Sequence, residues 1–166
     1  MGVRAADLDF PINVAHVVRG GYKRIPREVL GMLEARPLFS GLSQKELRSI
    51  AALGTTLDIE AGCVLTKESD VGKEAFLILS GAARCLVGNV EVAVLGPGEL
   101  FGEMSLLDGA PRSATVVAER DMTVTNFDRG EFVRLVEVSP KIALKLLAAM
   151  ATRLRAVDQG FVANYG

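Results

Sequence analysis

Between Thr55 and Phe127 the chain breaks into short runs of Val, Leu, Ile and Thr, cut at regular intervals by turn-forming residues. The breaks are Ala61-Gly62, Asp70-Val71-Gly72, Ser80-Gly81, Gly88-Asn89, Gly96-Pro97-Gly98 and Asp108-Gly109-Ala110-Pro111. Gly88-Asn89, between Cys85-Leu86-Val87 and Val90-Glu91-Val92, is the best hairpin, because both residues tolerate the positive φ of a two-residue turn. Roughly eight short strands at this spacing predict a jelly-roll β-barrel or sandwich.

Helical patterns flank the strands. Pro26 stands where a first helical position belongs, ahead of Val29, Leu30 and Leu33, and the helix is expected to end near Arg36-Pro37. Ser43-Gln44-Lys45-Glu46 is a capping box, with Leu42 and Leu47 at the two positions of a hydrophobic staple. After the strands, Asp128 and Glu131 form a second box, with Phe127 and Phe132 as its staple. A last helix opens at Ser139-Pro140; Ile142, Leu146, Ala149 and Met150 form an apolar stripe that Leu147 and Leu154 widen, leaving Lys141 and Lys145 facing solvent. Arg153 and Arg155 near its end suit the helix dipole. The expected organisation is an arm and short helix over 1–36, one domain over 37–157 and a tail over 158–166. Gly20-Gly21 interrupts the arm, which has no sustained period and reads as adaptable.

With 166 residues, 49% of them hydrophobic and 23% charged, the chain is long enough for one domain with its own core. A net charge of -1 gives no basic footprint for nucleic acid or anionic lipid, so neither is expected as a direct partner. The two cysteines, Cys63 and Cys85, read as free thiols of a reducing cytoplasm rather than a disulfide framework. No apolar run approaches the ~18 residues that span a bilayer. A soluble cytoplasmic protein is the expectation.

One stretch, Phe101 to Val116, is too polar at fixed points to be a plain strand pair. Gly102 permits a close backbone approach, and Glu103 to Leu107 has room for about one helical turn before Asp108-Gly109. The first N–H groups of such a turn have no acceptor within it and suit an anion. Pro111 forces an extended approach to Arg112, whose guanidinium needs an anionic partner in a partly dry barrel. Its planar fork matches a pair of phosphate oxygens. Glu103 beside a phosphate would be repelled unless it accepted hydrogen bonds from sugar hydroxyls. By residue type alone, a ribose phosphate site and a structural ion pair between Glu103 and Arg112 both remain open.

The stretch resembles the phosphate-binding cassette of the cyclic-nucleotide-binding domain family, which runs Gly-Glu, a short helix, Pro-Arg, small residues and Thr. Looser similarity extends over about Pro37 to Leu154, with Pro37-Leu38-Phe39-Ser40-Gly41-Leu42-Ser43 as the entry and Phe76-Leu77-Ile78-Leu79-Ser80-Gly81 as the central strand and turn. The resemblance implies that Glu103 takes the ribose 2′-hydroxyl and Arg112 the cyclic phosphate. It implies further that Gly102, Met104 and Ser105 lie near the phosphate or ribose through backbone N–H groups. Ser113 would add backbone and side-chain contacts, and Ala114 a backbone contact. The gap from Glu103 to Arg112 is the short form seen in protein kinase A regulatory subunits and nucleotide-gated channels, and looks one residue shorter than in the bacterial catabolite activator. In the family a threonine after the arginine favours cGMP; this chain has Ser113, so cAMP is the favoured ligand and cGMP the alternative. The resemblance implies that the last helix covers the base, a role for which Arg153, Leu154 and Val157 are the candidates.

The expectation is therefore a non-catalytic sensor that couples cAMP or cGMP binding to movement of its C-terminal helices. Almost nothing follows the last helix, so the output is assigned to a separate effector protein or to the rest of a longer protein; a homodimer is a further possibility. Two rival readings share the fold. A cupin-type jelly-roll enzyme normally binds its metal through several histidines, and the single histidine, His16, lies in the arm outside the barrel, so no metal is expected. A scaffold with a degenerate pocket is disfavoured by the intact Glu103 and Arg112.

Overall fold

The computed structural model describes residues 17–18 and 25–165, and the side chains of 25–152, 154 and 155. The strands are β1 (Val17–Val18), β2 (Thr55–Ile59), β3 (Val64–Thr66), β4 (Glu74–Ser80), β5 (Ala83–Val87), β6 (Val90–Leu95), β7 (Leu100–Phe101), β8 (Thr115–Ala118) and β9 (Met122–Asp128). The helices are α1 (Arg27–Glu34), α2 (Gln44–Leu53), α3 (Glu103–Asp108), α4 (Arg129–Val138) and α5 (Pro140–Tyr165). One sheet runs β1-β2-β9-β4-β7 and the other β3-β8-β5-β6, every pair antiparallel. This is the jelly-roll sandwich expected from the strand rhythm, with eight strands after residue 54. A ninth, β1, falls in the arm; the rest of the arm up to residue 24, including His16, lies outside the described residues.

The run Ala75-Phe76-Leu77-Ile78-Leu79 explains how the layers join. A strand sends alternate side chains to opposite faces. Phe76 and Ile78 point into the barrel with Ile59, Leu65, Phe101, Val116 and Val124. Ala75, Leu77 and Leu79 point the other way, into a cluster with Leu30 and Leu33 of α1, Leu47 and Ile50 of α2, Phe132 and Leu135 of α4, and Ile142 and Leu146 of α5. An unbroken apolar run is the signature of a strand buried on both sides, and β4 is that strand. Leu106 of α3 belongs to the helical cluster, so the short helix inside the barrel stretch is tied directly to the helices outside it.

Local signals are specific where a side chain bonds a particular backbone group. Both capping boxes form: Ser43 with Glu46 at α2, and Asp128 with Glu131 at α4. The staple partners Leu42 and Leu47, and Phe127 and Phe132, are all buried. Gly88 takes φ 59° in the β5–β6 turn, and Val87 pairs with Val90. At α1 the start moves by one residue: Pro26 is the N-cap, with its carbonyl accepting from Leu30 N–H, and Arg27 is the first helical residue.

The last helix departs from expectation in two ways. Its stripe is buried only at Ile142 and Leu146; Ala149, Leu147 and Leu154 are exposed and Met150 is half-buried, because α5 leaves the helical cluster after Leu146. Lys145 is half-buried rather than facing solvent. Its ammonium donates to the carbonyl of Pro37 at 3.0 Å, to the hydroxyl of Ser40 at 2.6 Å and to the carbonyl of Ser40, pinning α5 to the loop after α1. Lys141 is exposed. No disulfide joins Cys63 and Cys85, which are both half-buried, and burial pushes the Cys63 thiol up, with Glu60 adding to the shift. No helix among the described residues is long and apolar enough to cross a membrane.

The α4 cap gives a direct test. Asp128→Ala removes the acceptor for the Glu131 N–H, 2.8 Å away, and should lower stability by about 1 kcal/mol in urea unfolding. A loss below a few tenths of a kcal/mol would show that the packing of Phe127 on Phe132 holds that helix start unaided.

Candidate ligand-binding site

Phe101 ends β7 stacked on Phe76, ring centroids 5.1 Å apart, and the chain then turns sharply at Gly102. Gly102 has φ 83° and ψ -3°, the left-handed region, and is the N-cap of α3. A Cβ there would lie 2.7 Å from Nη1 of Arg112 and 2.8 Å from the Glu74 carbonyl oxygen, so glycine is needed for both the turn and the approach. The helix stops at Gly109, φ 70°, whose N–H donates to the Ser105 carbonyl at 3.0 Å. Asp108 accepts from Ala110 N–H at 2.9 Å, and Pro111 then leads into Arg112.

Arg112 is 8% exposed and Glu103 4%. Nη1 of Arg112 donates to the Gly102 carbonyl at 2.8 Å and Nη2 to the Glu74 carbonyl at 2.7 Å. Burial pulls the guanidinium down from its ordinary value, while the carboxylates of Glu74 and Glu103 act the other way. The main chain of Arg112 is held as firmly: its N–H donates to the Asp70 carbonyl at 2.8 Å and its carbonyl accepts from Ser69 N–H at 2.9 Å. A desolvated cation fixed at both ends, beside a buried carboxylate, presents an anion-accepting and a hydroxyl-accepting group to one space.

That space is a cavity of about 230 Å³ inside the barrel. Gly102, Glu103, Met104, Ser105, Arg112, Ser113 and Ala114 all line it. Glu103, Ser105 and Arg112 are buried, Gly102 and Ala114 half-buried, and Met104 and Ser113 exposed at the rim. The rest of the lining is mainly apolar, with Ala93 and Leu95 of β6, Leu100, Phe101 and Val116. A second cavity of about 580 Å³ shares Leu95, Leu100 and Glu103 with the first and lies under α5, walled by Leu146, Ala149, Met150 and Thr152. Leu154 is 63% exposed and lines neither space; the side chains of Arg153 and Val157 lie outside the described residues.

Sequence reasoning missed the part played by the β3–β4 loop. Asp70-Val71-Gly72 read only as a turn, yet Ser69 and Asp70 bond the Arg112 main chain and the Glu74 carbonyl takes its side chain. Main-chain carbonyls have no side-chain signature, so nothing in the residue types announced them. Thr66 was missed too; it lines the cavity and donates to the Ala114 carbonyl at 3.1 Å.

Comparison with known proteins bears on the whole of this region. Residues 56–139 match the family model described as the cyclic nucleotide-binding domain. The cyclic AMP receptor protein of Thermus thermophilus is 36% identical over 131 residues, which is 76% of this chain and 61% of that protein. A cAMP-dependent protein kinase regulatory subunit of Hypocrea atroviridis is 35% identical over 104 residues, 63% of this chain and 22% of that protein. The crystal structure of the Thermus thermophilus catabolite activator protein superposes with a TM-score of 0.70 at 36% identity, covering 76% of this chain and 62% of that one. The chain thus spans less than two thirds of the length of these relatives. The match runs from β2 to the junction of α4 and α5 and takes in every residue that lines the 230 Å³ cavity: this chain belongs to the cyclic nucleotide-binding domain family.

Proposed function

We propose that this domain is a sensor that holds cAMP in preference to cGMP and performs no chemistry on it. The observation behind the reading is the burial of Arg112 and Glu103 in the wall of one cavity. A 3′,5′-cyclic nucleotide carries one negative charge on its phosphodiester and one free ribose hydroxyl, the 2′-OH. One guanidinium and one carboxylate are the complement of that pair. Arg112 pairs with the phosphate and Glu103 accepts from the 2′-hydroxyl. The backbone N–H groups of Gly102, Met104, Ser105 and Ala114 surround the phosphate and ribose, and Ser113 adds its backbone and hydroxyl at the rim. A threonine is absent after Arg112, which favours adenine over guanine.

The output runs through Leu106. That side chain is in the cluster that also holds Phe132 and Leu135 of α4 and Ile142 and Leu146 of α5. A ligand that repositions α3 is thereby felt by both C-terminal helices, and it biases them only by its differential affinity for their arrangements. A micromolar ligand supplies about 8 kcal/mol in total, of which the part that differs between states drives the switch. The receiver is a separate effector protein, a second copy, or another part of a longer protein.

Isothermal calorimetry with cAMP, cGMP and 5′-AMP tests the reading. Both cyclic nucleotides should bind, cAMP more tightly, and 5′-AMP, with a second charge and a free 3′-hydroxyl, should bind worst. Failure of both cyclic nucleotides to bind at millimolar concentration would refute it. Arg112→Ala should weaken cAMP by about 2–5 kcal/mol, the range for truncating one partner of a buried charged pair. Unchanged affinity in that variant would reduce Arg112 to a structural residue.

A further inference from the structure

We infer that Gly72 is a positioning residue for Arg112, setting by its lack of a side chain where the guanidinium and Ser105 stand at the anion end of the cavity. The inference deepens the nucleotide reading and rests on it for the identity of the anion. Gly72 lies in the loop between β3 and β4, flanked by the groups that hold Arg112. Upstream, Ser69 and Asp70 bond the Arg112 main chain at 2.9 and 2.8 Å. Downstream, the Glu74 carbonyl accepts Nη2 at 2.7 Å.

A Cβ built on Gly72 would lie 2.4 Å from Cβ of Ser105, 2.8 Å from Oγ of Ser105 and 2.8 Å from Nε of Arg112. Two later elements, α3 and the approach to β8, therefore close on the same bare backbone. Gly72 is not among the glycines with positive φ, so the demand for glycine comes from the space and not from a left-handed backbone. The backbone strain of the loop sits elsewhere, at Ser69, whose φ of 72° makes it the single non-glycine residue with positive φ among those described. The N–H of that strained residue is the one that holds the Arg112 carbonyl.

A methyl group at position 72 has two ways to be accommodated. The 2.4 Å contact with Ser105 Cβ is relieved only by moving the loop or α3, whereas the 2.8 Å contact with Nε is relieved by moving the guanidinium. Each of these moves takes the Arg112 fork out of register with the Gly102 or Glu74 carbonyl that aims it. Recognition of a bidentate anion tolerates displacements of only about 0.5 Å.

The test is a double-mutant cycle on the full chain, with cAMP titrated into wild type, Gly72→Ala, Arg112→Ala and the double variant. Gly72→Ala should weaken cAMP roughly tenfold or more in the wild-type background and less than about twofold once Arg112 is absent. Equal losses in both backgrounds would overturn the inference, because a merely structural defect weakens binding whether or not the guanidinium is there. The ¹⁵N signal of the Arg112 Nε–H in the ligand-free protein reads the same geometry without nucleotide. It should shift in Gly72→Ala, and an unmoved signal would also overturn the inference. A wild-type protein that ignores cAMP would remove the nucleotide reading and leave this second readout decisive. Should Gly72→Ala fail to fold, Gly72→Ala combined with Ser105→Gly removes the 2.4 Å contact, and the Nε–H signal in that pair must still differ from that in Ser105→Gly alone.

Discussion

Keeping one guanidinium out of water is the constraint around which the site is built. An isolated cation in a barrel interior is prohibitively unfavourable, and Arg112 is tolerated because its donors meet fixed acceptors. The Gly102 and Glu74 carbonyls supply them, and the carboxylates of Glu74 and Glu103 add attraction. Each acceptor comes from a different element: the N-cap of α3 and the first residue of β4, with the β3–β4 loop gripping the main chain. The positive φ at Gly102, the bare surface at Gly72 and the short α3 are different solutions to the same demand, room for Arg112 beside Glu103.

The same geometry links the site to the helices. Because β4 is buried on both faces, the barrel core and the helical core meet across a single strand. Glu103 faces both cavities, one within the barrel and one under α5, while Leu106, on the same helix, sits among α4 and α5. A six-residue helix thus has one side on the ligand space and another in the helical core. Lys145 adds a polar tie between α5 and the loop after α1, so the position of α5 depends on more than apolar packing.

What was legible in the sequence was what periodicity and side-chain chemistry encode. The capping boxes at Ser43 and Asp128, the double-sided run at Ala75 to Leu79 and the Gly88-Asn89 turn each have a pattern with one physical meaning. The seven residues singled out around Gly102 and Arg112 come together on one cavity. Tertiary facts were not legible. Nothing in a helical stripe says that Leu147 and Leu154 will outrun the surface they would pack on, or that the flexible Lys145 finds carbonyls 105 and 108 residues upstream. Backbone acceptors such as Glu74 and spatial vacancies such as Gly72 carry no composition signal at all.

In the proposed sensor one ligand is held by α3 and Arg112 and felt by the C-terminal helices. Hydrogen exchange of the full chain, with and without saturating cAMP, measures both ends together. A sensor of this kind shows slower exchange at the backbone N–H groups of Gly102 to Ser105 and of Ser113 and Ala114, together with altered exchange in α4 and the first turns of α5. Identical exchange throughout, with cAMP present at millimolar concentration, would contradict it.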